Sequence, residues 1–292
     1  MLALSHQPSP PAMNLRSLLV VLDDDDRCAV RTRLAAGYAA AHDSHLVGIA
    51  PTGLPELISG LGAASRQADQ AALARDDALT RADERIAHFR NHCHARGVAW
   101  VETEICEGER AAVVLNQAHA ADLTVISQVD PASATRRDDE RFVEQLLTNN
   151  ARPTLLVPHS GHFDRFGDNV LIAWDGSRGC TRAVADALPI LRHATQVRLC
   201  VWRHEGDPPA AAIRERLASV DRWLRWQGVT ARIAVETSSG RIGDAILETA
   251  AISAADLLVM GTYGHARWAE RIFGGTTRTA LARAPLPLFM SH

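Results

Sequence analysis

A cluster of glycines near the end of the chain has the spacing of a phosphate-binding segment. The apolar run Leu257–Met260 is followed by Gly261 and Gly264, and then by the pair Gly274 and Gly275. Glycine lets the backbone approach a bulky anion, and a helix after the pair would offer free N–H groups and a positive dipole end. On spacing alone, a tight strand–helix turn in which the glycines serve packing explains the pattern equally well.

Two further strand-like runs in the same half precede candidate loops. The apolar run Val170–Trp174 leads into Asp175, and a second run reaches Val201. Open α/β sheets bind ligands beyond the carboxyl ends of their strands. The loops after Asp175, Val201 and Met260 are therefore the first candidates for a site.

Strands and helices alternate through this half. The apolar runs predict strands at 170–174, 197–202, 231–236, 256–260 and 286–290. Between them, apolar residues at helical spacing predict helices at about 180–191, 213–224, 242–250 and 276–283. Near-continuous apolar strands separated by helices are typical of a parallel sheet with helices on both faces.

The first half of the chain repeats the second. Leu18–Asp23 matches Val170–Asp175 at an offset of 152 residues, and Ala121–Ser127 matches Ala255–Gly261 at an offset of 134. The first half therefore carries 18 extra residues, placed around 51–81. The repeat predicts two tandem open parallel-sheet domains of an α/β protein. We expect a flexible tail at 1–14, domains at 15–158 and 169–292, and a linker at 159–168.

The combination of these features resembles the universal stress protein family. A first strand ending in aspartate, the pattern G-x2-G-x9-G after the fourth strand, and a proline before a terminal apolar strand are typical of that family, here in tandem. The resemblance implies an adenine-nucleotide-hydrolase-like fold and ATP as the ligand. Whether Mg binds together with ATP is left open. The implied contacts are Ala173, Asp175 and Val201 for adenosine, and Met260, Gly261, Gly264, Gly274, Gly275 and Thr276 for ribose and phosphates.

The sequence departs from the family pattern at one of the implied phosphate contacts. Gly275 stands where the family has serine or threonine, so a hydroxyl group is missing there. Thr276 or Thr277 is the residue that would replace it.

The first half departs from the motif throughout. Ser127, Asp130, Glu140 and Arg141 stand where the glycines are expected, and its first strand runs into the acidic segment Asp23–Asp26. Carboxylates at a phosphate position raise the electrostatic cost of binding an anion. We therefore expect a degenerate, nucleotide-free domain, in which the acidic segment is a solvated loop in preference to a metal site.

Composition excludes several other functions. All 31 basic residues are arginine, which excludes a Walker-type phosphate loop and Schiff-base chemistry. A net charge of −3 lacks the basic footprint of a nucleic-acid binder. Five cysteines without a C-x-x-C pair indicate reduced thiols, and no apolar run is long enough to span a bilayer. We expect a cytoplasmic protein with neither nucleic acid nor membrane as a partner.

Two weaker patterns concern metal and thiol chemistry. His88 and His92 have the i, i+4 spacing of metal ligands, but a chain with 13 histidines produces such pairs by chance, and we expect no metal site. Cys28 and Cys180 precede or open matching helices, where the helix dipole can lower a thiol pKa. Packing as small residues is the preferred interpretation.

The sequence thus predicts a stress-response protein that binds ATP in its second domain. It would act by nucleotide-dependent conformation or through unidentified protein partners, not as an enzyme, with slow ATP hydrolysis left open. The alternative is a nucleotide-free interaction scaffold. An ATP-pyrophosphatase-type enzyme is disfavoured because the S-G-G-x-D-S loop is absent. The final strands of the two halves should pair internally, giving a monomer that mimics a family dimer; a homodimer of chains is the alternative.

Overall fold

A computed structural model of the chain describes residues 14–53, 65–262 and 275–292, without the side chains of 65–68. In the first half, strands and helices alternate along the described chain. The elements are β1 (Ser17–Val21), α1 (Cys28–His42), β2 (His45–Pro51), α2 (Ser65–Ala95), β3 (Trp100–Cys106), α3 (Arg110–Ala118), β4 (Leu123–Ser127), α4 (Arg136–Asn149) and β5 (Thr154–Val157).

The second half has the same order of elements, and the predicted bounds agree with the structure to within three residues. The elements are β6 (Asn169–Ala173), α5 (Arg178–Leu191), β7 (Gln196–Arg203), α6 (Ala210–Trp226), β8 (Ala231–Thr237), α7 (Ile242–Ile252), β9 (Leu257–Gly261), α8 (Gly275–Arg283) and β10 (Leu288–Ser291). The predicted α/β fold class, with a mainly parallel sheet, is confirmed.

Within the described ranges, one sheet of ten strands runs through both halves in the order β3-β2-β1-β4-β5-β10-β9-β6-β7-β8. Neighbouring strands are parallel within each half, and the halves join where β5 and β10 pair antiparallel. In this pair Leu155 lies opposite Phe289, and Thr154 lies opposite Met290. The final strands would otherwise expose unpaired N–H and C=O groups. The structure thus contains the internal pairing expected from the sequence.

Helices cover both faces because successive strand residues point to opposite sides of the sheet. In β1, Leu18 and Val20 pack into the core layer that includes α1, α2, α5 and α6. Leu19 and Val21 pack into the opposite layer, with α3, α4, α7 and α8. No helix in the described ranges is both long and apolar enough to cross a membrane.

Part of the extra length of the first half lies in a longer helix. Helix α2 has 31 residues, whereas its counterpart α6 has 17. The rest of the expected insertion, residues 54–64, lies outside the described residues.

The segment 159–168 forms neither helix nor strand and is bonded to both halves. Arg96, which directly follows α2, pairs with Asp164 at 3.0 Å. The Asp256 carboxylate, just before β9, accepts hydrogen bonds from the backbone N–H groups of Gly167 and Asp168, each at 3.0 Å. These bonds tie the connecting segment to α2 on one side and to the β9 end of the sheet on the other.

Candidate functional site

The strand residues predicted for the site lie together at the carboxyl ends of three neighbouring strands. Strand β6 pairs with β7 on one side and β9 on the other, all three parallel. Ala173 ends β6, Val201 lies in the last part of β7, and Met260 and Gly261 end β9. The strand order reverses at β6. The carboxyl ends of these strands therefore form the topological switch point, where open α/β sheets bind ligands.

Asp175 lies in the loop between β6 and α5 and is exposed. Its Oδ1 accepts a hydrogen bond from the Ser177 N–H at 2.9 Å. Ser177 in turn caps α5, because its Oγ accepts from the Cys180 N–H at 3.1 Å. The carboxylate is therefore held in a short turn above the switch point, with its side chain open to solvent.

Gly261 has a packing role in this structure. A Cβ at this position would lie 2.7 Å from the carbonyl carbon of Gly179 and closer still to the Cys180 nitrogen. Gly261 therefore allows the start of α5 to lie directly against the end of β9. The packing explanation that spacing alone left open holds for this glycine, and its contact with a ligand stays a prediction.

Helix α8 supplies the described part of the predicted phosphate contacts. Gly275 is its first residue and is exposed, and a Cβ there would meet no atom of the described residues within 4 Å. The Thr277 hydroxyl donates to the Thr262 carbonyl oxygen at 3.2 Å, so it is already engaged within the protein. Half-buried Thr276 is then the better substitute for the missing family hydroxyl. Gly264 and Gly274 lie outside the described residues.

In the first half, the loops at the carboxyl ends of β1, β2 and β4 line an open cleft of about 840 Å³. It is lined by the acidic segment Asp23–Asp26, by residues after β2 and by residues after β4. A buried cation lies behind the lining of this cleft and is bonded to lining residues Asp25 and Ser127. Arg31 is fully buried, and its Nε donates to the Val21 carbonyl oxygen at 2.7 Å while its Nη1 donates to Asp25 at 3.0 Å.

Asp23 is the centre of an ion-pair network in this cleft. It pairs with Arg31 and with Arg110, and Arg110 also pairs with Asp139 at 2.9 Å. Burial favours the neutral acid, but the charges of Arg31 and Arg110 outweigh it and hold the pKa of Asp23 below its usual value. The solvated-loop interpretation therefore fits Asp24, which is 64% exposed, and is wrong for Asp23.

The cysteines that open the matching helices are packed thiols. The Cys180 Sγ donates to the Ala173 carbonyl oxygen at 3.3 Å, and burial raises the pKa of Cys180 to about 12. Burial also raises the pKa of Cys28. A thiol with a raised pKa is a poor nucleophile at neutral pH, which favours the packing interpretation.

The paired histidines of α2 are linked by a local bond. The His92 Nδ1–H donates to the His88 carbonyl oxygen at 2.8 Å. Across the described ranges, no group of three or more His, Cys, Asp or Glu side chains has the geometry to hold a metal ion.

Sequence reasoning missed the role of the aspartate that precedes each fourth strand. Asp122 accepts from the N–H groups of Arg16 and Ser17, and Asp256 accepts from Asn169 as well as from the connecting segment. Each carboxylate therefore fastens the start of the first strand to the start of the fourth. The repeated Ala-Asp-Leu motif was the available signal for this role.

Comparisons with known proteins agree with this architecture. Residues 167–292 match the model of the universal stress protein family. A universal stress protein from Synechocystis sp. is 27% identical over 148 residues, which are 50% of this chain and 49% of that protein. The crystal structure of a universal stress protein from Archaeoglobus fulgidus covers 95% of this chain and 98% of its own, with a TM-score of 0.70 and 15% identity. A functionally unknown protein from Pseudomonas aeruginosa covers 94% of this chain and 92% of its own, with a TM-score of 0.57 and 16% identity.

The fold and the switch-point edge define an α/β protein with two like-ordered parallel units in a single sheet. The family match covers the second unit, and the solved relative from Archaeoglobus fulgidus shares the fold of nearly the whole chain. The second half of the chain, residues 167–292, is a universal stress protein domain.

Proposed function

We propose that the second half binds one adenine nucleotide, ATP, at the carboxyl ends of β6, β7 and β9. The observation that carries this proposal is the meeting of Ala173, Val201 and Met260 at the switch point, the type of edge where such sheets bind ligands. The first residue of α8, Gly275, belongs to the same half and is open to solvent. Free N–H groups at a helix start suit phosphate oxygens.

In this arrangement the adenosine part contacts the ends of β6 and β7, with Asp175 as a hydrogen-bond acceptor. The phosphates extend towards α8, where backbone N–H groups and the Thr276 hydroxyl donate. Magnesium would accompany the nucleotide chiefly on phosphate oxygens and water, because the described side chains provide no metal-binding group of three.

The proposed action is nucleotide-dependent conformation or partner binding in a stress response, not catalysis. The candidate nucleophile next to the site, Cys180, is buried with a raised pKa, and Asp175 is engaged with the Ser177 N–H. A nucleotide-free interaction scaffold is the second candidate. Gly275 in place of the family hydroxyl and the self-paired ions of the first-half cleft favour it.

The deciding experiment is calorimetric titration of the full chain with ATP, ADP, adenosine and cAMP, after mass spectrometry for nucleotide retained through gentle purification. We expect one ATP per chain. Two equivalent sites would refute the assignment to the second half, and no binding at millimolar ATP would establish the scaffold.

We further propose that the chain is a monomer, since β5 and β10 already cover each other. Light scattering should give 31.6 kDa. A mass of twice that value would show that another surface joins two chains.

A further inference from the structure

A glutamine of the first half is bonded to the last turn of α8 in the second half. Gln128 directly follows β4 and is 3% exposed. Its Nε2 donates to the Leu281 carbonyl oxygen at 2.8 Å, and its Oε1 accepts from the His159 N–H at 3.1 Å. The amide is therefore held on both of its polar atoms, between the connecting segment and α8.

This bond satisfies a group that a helix cannot satisfy by itself. The last four carbonyl groups of an α-helix have no partner within the helix, and α8 has nine residues. Near its other end, the Thr277 hydroxyl donates to Thr262 of the same half. Helix α8 is thus held near its start by the second half. At its end it is held by Gln128 of the first half and by the ion pair of Arg283 with Asp244 of α7, at 2.6 Å.

We propose that Gln128 is a positioning residue through which the first half completes the phosphate-binding end of the second. The inference rests on the proposed nucleotide site. Nine residues of α-helix span about 13 Å, so a helix released at Leu281 can tilt and displace the N–H groups at Gly275 and Thr276. Binding that depends on oriented donors is sensitive to displacements of about 1 Å.

The second-half residue at the equivalent repeat position makes a different contact. Thr262 occupies the repeat position equivalent to Gln128, and its hydroxyl donates to the Ser291 carbonyl oxygen within its own half at 3.1 Å. A degenerate first half would then contribute to binding without holding a nucleotide.

The inference predicts a selective loss of phosphate affinity. Adenosine would contact the ends of β6 and β7, whereas ATP would also use α8. In Gln128→Leu, which removes the amide at similar volume, we expect ATP affinity to fall about 5- to 10-fold, as for one lost hydrogen bond. Adenosine affinity should change less than about twofold. The control is Gln117→Leu on α3, which removes an amide bonded to Glu104 at 3.0 Å.

Both affinities are measured by calorimetry on the full chain, and hydrogen exchange of the α8 amides is measured without ligand. Equal losses for ATP and adenosine, or an unchanged ATP affinity, would overturn the inference. Gln128→Glu, which sets a carboxylate against the Leu281 carbonyl, serves if the leucine variant does not fold, with the same expectations. If the wild-type chain binds no nucleotide, the proposed function fails, and hydrogen exchange alone tests the role of Gln128. Unchanged protection of the α8 amides in the variant would overturn that role. Faster exchange of these amides would support it.

Discussion

The Nη1 of Arg31 donates to the Oγ of Ser127 at 2.6 Å, and this bond joins α1 to the end of β4. In the second half, Gly261 occupies the repeat position of Ser127 and lies directly against the backbone of α5. The two halves therefore close the same strand–helix junction differently, one with a buried cation and its carboxylates, the other with a glycine contact. This difference distinguishes the first-half cleft, with its paired arginine and aspartate side chains, from the proposed nucleotide site of the second half.

Replacing Arg31 by methionine should destabilise the chain by about 3–5 kcal/mol at pH 7, because the Asp23 side chain, only 14% exposed, would keep much less counter-charge. Urea unfolding of the full chain measures the loss. The control is Arg81→Met, since Arg81 is 49% exposed and its pair with Asp24 lies at the surface. That variant should lose less than about 1 kcal/mol, and an equal loss would contradict the prediction.

The same network predicts how stability depends on acid. The folded pKa of Asp23 is below its ordinary value, so its contribution is fully present above the unfolded pKa of about 3.9. That contribution is lost as the pH falls through the lower folded pKa. Circular dichroism during acid titration should therefore place the unfolding midpoint of Arg31→Met at a higher pH than that of the wild-type chain. Coincident midpoints would show that the network contributes nothing.

Gly261→Ala should destabilise the second half by about 1–3 kcal/mol, because the new Cβ would overlap the start of α5. Thermal or urea unfolding provides the measurement. Gly275→Ala is the matched control, since a Cβ there meets no atom within 4 Å in the described part of the chain. A Gly261→Ala chain as stable as the control would show that α5 can move away without cost.

Gly275→Ser should strengthen ATP binding by about 0.5–1.5 kcal/mol, because it restores a hydroxyl at the start of α8. The control is Gly240→Ser, just before α7, where a Cβ also meets no atom within 4 Å. Calorimetry compares the two variants with the wild-type chain. Unchanged affinity would indicate that Thr276 already serves the phosphate, and weakened binding would contradict the role assigned to this position.

Asp175→Ala should weaken ATP binding by about 1–3 kcal/mol through loss of a hydrogen-bond acceptor. Asp175→Asn keeps an oxygen that can accept from the Ser177 N–H, so the turn before α5 should survive. Comparing both variants by calorimetry separates the carboxylate from the turn. Wild-type affinity in both would remove Asp175 from the site.

Much of the fold and part of the site could be predicted from the sequence. The runs ending at Ala173 and Met260 marked buried parallel strands because hydrophobic patterning is local, and the repeat made the two halves recognisable. The packing role of Gly261 could not be predicted, because it depends on how closely α5 approaches β9. The engagement of Thr277 with Thr262 was equally hidden, since the two residues meet only when α8 returns to the sheet.

By itself, the sequence determined the order of strands and helices, the two-fold repeat and the polar groups available at each strand end. These properties follow from periodicity and spacing along the chain. Only the tertiary structure decided the partners of those groups. Arg31 meets Ser127 across 96 positions, and Gln128 meets Leu281 across 153. Such bonds depend on how helices pack against the sheet and how the halves join, because a buried polar group must find its partner in space wherever that partner lies in the chain.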